Sequence, residues 1–261
     1  MPNLILLTGS ELRHRYYAET IYRLIGLSGV LIEKKRLQVS KEEITDIVNG
    51  HFEQRNNKEK EFFSDAVEFE TLECPVFRSD WGGSNTKEAF EWINSLKPDL
   101  ILVYGTGILK DPLISGYCNR IINCHLGLSP YYKGAATNFW PLVNGEPECV
   151  GATFHNLTKE VDAGYIFHQV RPILAKTDDC HDIGFKTIQA AASDLNNVVK
   201  AFISERIKLV PQIKGDRVYK KRDFNERAVI KMKENFENGM IESYLKNKVE
   251  RDKHFPVVSN V

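Results

Sequence analysis

Cysteine is scarce and unpatterned in this sequence. The 261 residues hold five, Cys74, Cys118, Cys124, Cys149 and Cys180, an odd number with no Cys-x-x-Cys pair. Neither a disulfide framework nor a zinc knuckle is indicated, and no metal is expected. Net charge is missing too: 35 basic side chains balance 35 acidic ones. That removes the long-range field that gathers nucleic acid or an anionic membrane surface. No apolar run approaches the ~18 residues of a membrane span, and the opening Met1-Pro-Asn-Leu-Ile-Leu-Leu-Thr has no basic n-region and breaks at Gly9-Ser10. The expectation is a cytoplasmic protein, neither inserted in a membrane nor exported by a cleaved signal, without nucleic acid as a partner. What is present, 42% apolar residues and 10 prolines, excludes collagen, coiled coil and wholesale disorder. At this length one large domain, or a domain plus a small appendage, buries its core without staples.

Residues 3–8 form a nearly continuous apolar run ended by Gly9-Ser10, and residues 11–25 carry helical spacing. Strand, turn, helix is the reading, with a second strand at 29–32. From 33 to 70, 17 of 38 residues are charged, which predicts a long solvated helix or helical insertion. Residues 86–96 repeat helical spacing; Lys97-Pro98-Asp99 stops it, and Leu100-Ile-Leu-Val-Tyr104 runs into Gly105-Thr-Gly107. A short helix at 111–116 and a strand at 120–125 repeat this order. Strands alternating with helices predict a mostly parallel, Rossmann-like α/β sheet with helices on both faces. Residues 149–156 and 165–174 extend it as two antiparallel strands, and 178–205 is a long helix capped by Thr177 or Asp178. After Pro211 come a short strand at 218–219 and a charged helical appendage at 225–248. The division expected is 1–208 for the main domain and 209–261 for a small C-terminal helical appendage.

In open α/β sheets ligands sit beyond the carboxyl ends of the strands. The strand at 120–125 ends Asn123-Cys124-His125. Alternation places Asn123 and His125 on one face and Cys124 on the other, so an amide donor and an imidazole share one small volume. An isolated Asn-x-His is more often a pair that satisfies buried backbone groups. The loop that follows, Leu126-Gly-Leu-Ser-Pro-Tyr-Tyr-Lys-Gly134, has the make-up of a binding loop. Further on stand Gly151-Ala-Thr-Phe-His155 and the acidic segment Glu160-Val-Asp162-Ala-Gly164, whose carboxylate beside a glycine reads equally as a turn former.

Taken in order, Asn123-x-His125, Pro130-Tyr-Tyr-Lys-Gly134, Asn138-Phe-Trp140 with Asn144-Gly-Glu146, Gly151-x-Thr-x-His155 and Val161-Asp162-x-Gly164 resemble the folate-dependent formyltransferases. These comprise the glycinamide ribonucleotide, methionyl-tRNA and nucleotide-sugar N-formyltransferases. The resemblance covers residues 98–205 well and the first 30 loosely. It implies a catalytic trio of Asn123, His125 and Asp162, with 10-formyltetrahydrofolate as donor. It also implies a donor pocket made from backbone groups of Tyr104, Gly105, Thr106, Gly107 and Ile108 and of Thr158, Lys159, Glu160, Val161 and Asp162. His155 matches a family position and reads equally as a structural partner. The sequence departs from the pattern at Gly127-Leu-Ser-Pro130, where the family has Ser-Leu-Leu-Pro, and at Thr137, where proline is common.

The tail after Pro211 is too short for the barrel domain of the tRNA enzymes, and a neutral chain lacks the charge that tRNA contact needs. A small-molecule amine is favoured. The segment Thr8-Gly-Ser-Glu-Leu-Arg-His-Arg-Tyr16 is similar to formyltransferases of bacterial surface-sugar pathways, which implies an amino-sugar acceptor, nucleotide-linked. Arg13, His14 or Arg15 at the start of the first helix are candidates to hold its phosphate. Tyr131, Tyr132, Lys133 and Trp140 are candidate acceptor contacts, the aromatics being open to a plain packing role. A homodimer is a family-level expectation. The alternatives are a glycinamide-ribonucleotide- or methionyl-tRNA-type transferase, a formyltetrahydrofolate hydrolase, and a non-catalytic folate- or nucleotide-binding module. A Cys124–His125 hydrolase is set aside because the two side chains face opposite sides of the strand. A dinucleotide site at Gly105-Thr-Gly107 lacks the third glycine of the fingerprint.

Overall fold

A strand that is apolar on both faces must be covered by helices on both sides, and β1 (Leu4–Gly9) is buried at every position. A computed structural model of the chain describes residues 2–34, 45–158, 164–212 and 217–261. After β1 come α1 (Leu12–Ile25), β2 (Gly29–Glu33), α2 (Asp46–Phe63), β3 (Val76–Ser79), α3 (Lys87–Ser95), β4 (Leu100–Tyr104), α4 (Leu113–Gly116) and β5 (Ile121–His125). The chain continues through β6 (Lys133–Gly134), α5 (Trp140–Val143), β7 (Ala152–Asn156), β8 (Ile166–Val170) and α6 (Cys180–Ile203). It ends with β9 (Val218–Tyr219), α7 (Glu226–Glu237), α8 (Met240–Lys246) and α9 (Lys248–His254).

Among the described residues seven strands form one sheet in the order β3-β2-β1-β4-β5-β7-β8. The pairs from β3 to β5 are parallel; β5–β7 and β7–β8 are antiparallel. The strand order reverses at β1, since β2 lies on one side of it and β4 on the other. Leu4 and Leu6 of β1 join an apolar cluster with α1 and α6 on one face, while Ile5 and Leu7 join α3 and α4 on the other. This is the doubly covered, mostly parallel α/β sheet that the sequence predicts. Among the described residues no helix is long and apolar enough to cross a membrane.

Three local expectations change. The edge strand β3 was not predicted, because its residues are only partly buried and its four positions carry no clear period. The solvated insertion expected at 33–70 falls partly outside the described residues, at 35–44. Its described helix, α2, buries a face through Val48, His51, Glu59 and Phe63. A charged helix achieves this because Glu59 is paired with Arg13 instead of being buried alone. The cap of α6 is Asp179, neither Thr177 nor Asp178: its carboxylate accepts from the backbone N–H of His181 at 2.7 Å and of Asp182 at 2.8 Å.

Among the described residues, the C-terminal helices pack on the main sheet domain. Met232, Met240 and Ile241 pack with Leu142, Val150 and Ile183, and Ala228 packs with Tyr132, Trp140 and Cys149. The strand β9 pairs with β6, so the appendage is fastened onto the loop that follows β5.

Candidate active site

β5 delivers its last residues to the carboxyl edge of the sheet. Ile122 and Cys124 point into the α1/α6 cluster, which leaves Asn123 and His125 on the opposite face, half-buried. Burial pushes the Cys124 thiol up to about 12, with Tyr17 as its neighbour, so a nucleophilic Cys124 is excluded.

Asn123 lies opposite His155 of the antiparallel neighbour β7. Its Nδ2 is 3.0 Å from His155 Nε2, and His155 Nδ1 is 2.9 Å from the Asn156 carbonyl. A carbonyl only accepts, so Nδ1 carries the proton, and Nε2 of the neutral ring accepts from the amide. His155 thereby fixes which end of the Asn123 amide is which and occupies one of its two N–H groups. A β-bulge between Phe154 and His155, where β7 meets β8, sits beside this contact.

His125 is held by Thr137, whose hydroxyl contacts the Leu126 carbonyl and lies 3.2 Å from His125 Nε2. The hydroxyl has one proton, which goes to the carbonyl; His125 Nε2 therefore donates to the hydroxyl oxygen. The residue that departs from the family pattern thus supplies an orienting contact to the imidazole. Thr137→Val, which keeps the shape and loses the hydroxyl, is expected to lower kcat roughly threefold to tenfold, the worth of one hydrogen bond. Thr137→Ser is expected to stay near wild type in the same assay.

The two glycine motifs are explained by close approach. A Cβ on Gly127 would lie 2.6 Å from Thr137 and 2.8 Å from His125 Nε2, and one on Gly151 2.5 Å from the Val170 carbonyl. Between them Thr153 Oγ1 donates to the Gly127 carbonyl at 2.6 Å and accepts from the Ser129 N–H at 3.0 Å. Gln169 Nε2 adds a bond of 2.6 Å to the Ser129 carbonyl. The loop after β5 is therefore bound to β7 and β8 along its first half, which fixes His125 from the C-terminal side.

The glycine turn after β4 lies beside this pair of residues. Gly105 has φ +76°, and a Cβ there would stand 2.4 Å from His14 Nε2. Gly105→Ala is expected to cost at least about 1–2 kcal/mol from the left-handed backbone alone, read as a lowered denaturation midpoint. Glu33, 1% exposed at the end of β2, accepts from the Gly107 N–H at 2.8 Å and from the Ser84 hydroxyl at 2.6 Å. Asn85 donates to the Ile108 carbonyl at 3.0 Å. Sequence reasoning missed both clamps; a lone acidic residue ending an apolar strand was the available sign for Glu33. The Tyr104 side chain packs on Tyr17 in the core, so this residue meets the turn only through its backbone. The Ile108 side chain is 66% exposed. Thr158 is described, whereas Lys159, Glu160, Val161 and Asp162 lie outside the described residues. A Cβ on Gly164 would stand 1.8 Å from the Asn156 carbonyl, which accounts for the glycine after Asp162.

The expected acceptor contacts are corrected in part. His14 is 1% exposed; its Nδ1 accepts from the Glu11 N–H at 3.1 Å. Arg13 is engaged through both backbone N–H and guanidinium by Glu59, at 3.0 and 2.6 Å, and Arg15 pairs with Glu68. Both arginines at the start of α1 are thus supplied with acidic partners. Tyr132 is fully buried. Its hydroxyl donates to Glu146 at 2.6 Å and accepts from Asn144 at 2.9 Å. Trp140 stacks on Tyr219 at 4.4 Å and donates to the Ala135 carbonyl at 3.0 Å. Both rings pack the appendage against the loop, and Asn144-Gly-Glu146 serves the same join through Tyr219 and Arg217. Tyr131 donates to the Pro256 carbonyl at 2.8 Å and is half-buried, as is Lys133.

These elements place an amide and an imidazole on one face of β5, at the carboxyl edge of a doubly covered α/β sheet. The formyl transferase family model matches residues 28–199, and the chain belongs to that family: it is an enzyme of the folate-dependent N-formyltransferase kind. Solved structures share the fold. Phosphoribosylglycinamide formyltransferase from Anaplasma phagocytophilum is 16% identical over 84% of this chain and 98% of that one, with a TM-score of 0.58. The N-formyltransferase from Helicobacter canadensis, solved with folinic acid and dTDP-3-aminofucose, is 17% identical over 90% of this chain and 81% of that one, also at 0.58. A formyltetrahydrofolate deformylase from Pseudomonas syringae pv. tomato is 16% identical over 81% of this chain and 66% of that one, again at 0.58.

Proposed function

We propose that the protein transfers a formyl group from 10-formyltetrahydrofolate to the primary amine of a nucleotide-linked amino sugar. The observation that carries the reading is the Asn123–His155 contact beside His125. It presents a fixed amide N–H and an imidazole within one small volume at the sheet edge. The donor supplies an electrophilic formyl carbon. Attack by an uncharged amine forms the new C–N bond and moves the carbonyl electron pair onto oxygen, where donors placed for the tetrahedral geometry are worth most. The second N–H of Asn123 is such a donor. The attacking nitrogen loses a proton and the folate nitrogen gains one as its bond to carbon breaks; His125 takes and returns that proton. Asp162, which lies outside the described residues, is assigned by the family resemblance the role of orienting His125 and relaying a proton through water.

The donor pocket is assigned to the glycine turn and the 158–162 segment. Gly107 N–H and the Ile108 carbonyl are engaged by Glu33 and Asn85, so contacts from the turn fall to Gly105, Thr106 and the exposed Ile108 side chain. An apolar side chain at the edge of a rigid turn suits a flat ring with a polar rim. The acceptor class draws support from the Helicobacter canadensis enzyme, solved with dTDP-3-aminofucose. It draws support also from a formyltransferase of Anoxybacillus kamchatkensis solved with a UDP-linked formamido sugar and tetrahydrofolate, at a TM-score of 0.50. Of the contacts predicted for the acceptor, Tyr131 and Lys133 remain assigned to it.

Mixing the protein with 10-formyltetrahydrofolate and a panel of amines separates this reading from its rivals. The expected result is an amino-sugar nucleotide that gains the mass of one formyl group. Formate released without any acceptor means a hydrolase, as for the deformylase fold relative. Binding of donor without turnover means a binding module, and formylation of glycinamide ribonucleotide alone overturns the sugar assignment.

A further inference from the structure

Away from the catalytic pair, three ligand-type side chains meet where α2 packs against the start of α6. They are His51, Cys180 and His181, and one ligand atom from each lies within 4.8 Å of the other two. His51 is 6% and His181 7% exposed, and their rings stand 4.6 Å apart. Among the described residues, His51 Nδ1 and His181 Nε2 are buried without a hydrogen-bond partner. The rings of Phe52, Phe139 and Phe224 stand 5.6 to 5.7 Å from that of His51. An aromatic wall offers those nitrogens neither donor nor acceptor, and burying a polar atom unpaired is costly. Two such nitrogens beside one sulfur form a donor set that a borderline-soft cation satisfies.

The geometry points to a binding site for one divalent transition-metal ion, zinc being the physiological candidate, held by His51, His181 and the thiolate of Cys180 with a fourth position for water. In a tetrahedral zinc site the ligand atoms stand about 3.3–3.6 Å apart, as bond lengths near 2.0–2.3 Å require. Side-chain rotation spans the difference from 4.8 Å. Binding breaks the Cys180 S–H bond, releases that proton to solvent and forms the sulfur–metal bond; no electron is transferred. The charged groups around the cluster are Arg55, Lys58 and Lys233 against Asp179 and Asp182, and the thiolate offsets one unit of the positive charge that these groups and the metal bring.

The site joins α2 to the N-terminus of α6, and His51 also touches Phe139 and Phe224. A metal here fastens α2, the segment just after Thr137 and the start of the appendage at one point. The scarcity of cysteine and the lack of any short motif hid it, since His51 is far in sequence from Cys180 and His181.

The test is a titration of chelator-treated, full-length protein with Co²⁺ as the probe. One equivalent per chain is expected, with visible bands of a four-coordinate ion and a thiolate-to-cobalt charge-transfer absorption. Cys180→Ser is expected to lose that absorption, and His51→Ala and His181→Ala to weaken binding at least about tenfold. Cys118→Ser, at an exposed thiol, is expected to change neither. Zinc is expected to raise the melting temperature of the wild type and not that of Cys180→Ser. Absence of the thiolate band in the wild type overturns the site whether or not the variants fold. Equal cobalt affinity in wild type and all three ligand variants overturns it as well.

Discussion

His125→Ala is expected to lower turnover by ~10²–10⁴, the usual contribution of a general acid/base, in a protein that remains folded. The expectation of folding rests on position. His125 is half-buried at the last position of β5, it belongs to none of the apolar clusters, and its partner Thr137 keeps the Leu126 carbonyl after the change. On the proposed mechanism the loss falls on kcat, with the imidazole moving a proton during the reaction and adding little to ground-state binding. Single-turnover formyl transfer, with circular dichroism and a thermal melt beside it, measures both parts. Near-normal turnover removes His125 from the mechanism. A large fall in melting temperature transfers its role to structure.

The framework was legible because it is written in contiguous residues. β1 and β4 are apolar on both faces, and such runs bounded by glycine turns have few other readings. Asn123 and His125 followed from alternation alone, since Cys124 between them goes to the core. What sequence could not give depends on partners distant along the chain. Tyr132 and Trp140 look like binding-loop aromatics until Tyr219 arrives between them from β9, with ring distances of 5.8 and 4.4 Å. Arg13 looks like a phosphate ligand until Glu59 on α2 takes both its backbone and its guanidinium. Glu33 looks like the first residue of a charged segment, whereas it is the last residue of a buried strand and fastens the turn at Gly107. Each case has the same cause: a polar or aromatic side chain announces that it needs a partner without saying which, and tertiary structure chooses.

The departures from the family pattern resolve in the same terms. Gly127 stands where the family has serine, and Thr137 where it has proline. The first leaves room for the side chain of the second, because a Cβ at 127 would lie 2.6 Å from it. A hydroxyl at 137 needs space beside the Leu126 carbonyl, and a glycine at 127 provides it. Gly127→Ser in this chain therefore loses the accommodation that Thr137 requires and brings its Cβ against His125 Nε2 as well.

Asn123→Ala is expected to reduce kcat by ~10²–10³, the typical effect of removing one donor to a developing oxyanion. The more informative measurement couples it to His155. With Nδ1 donating to the Asn156 carbonyl and Nε2 accepting from the amide, His155 is expected to act on the reaction through Asn123. His155→Ala alone releases the amide to rotate and is expected to cost ~10–10² in kcat, a part of what the donor itself contributes. In the double variant there is no amide left to orient, so its turnover is expected to match Asn123→Ala and not the product of the two single losses. KM for the amine stays within a few-fold throughout, because the oxyanion does not exist in the ground state. His155→Gln, whose side-chain carbonyl accepts a hydrogen bond as Nε2 does, is expected to recover part of the loss. If the single effects multiply in the double variant, His155 touches the reaction by a route of its own. If Asn123→Ala raises KM and leaves kcat unchanged, the amide binds substrate and the oxyanion is stabilised elsewhere.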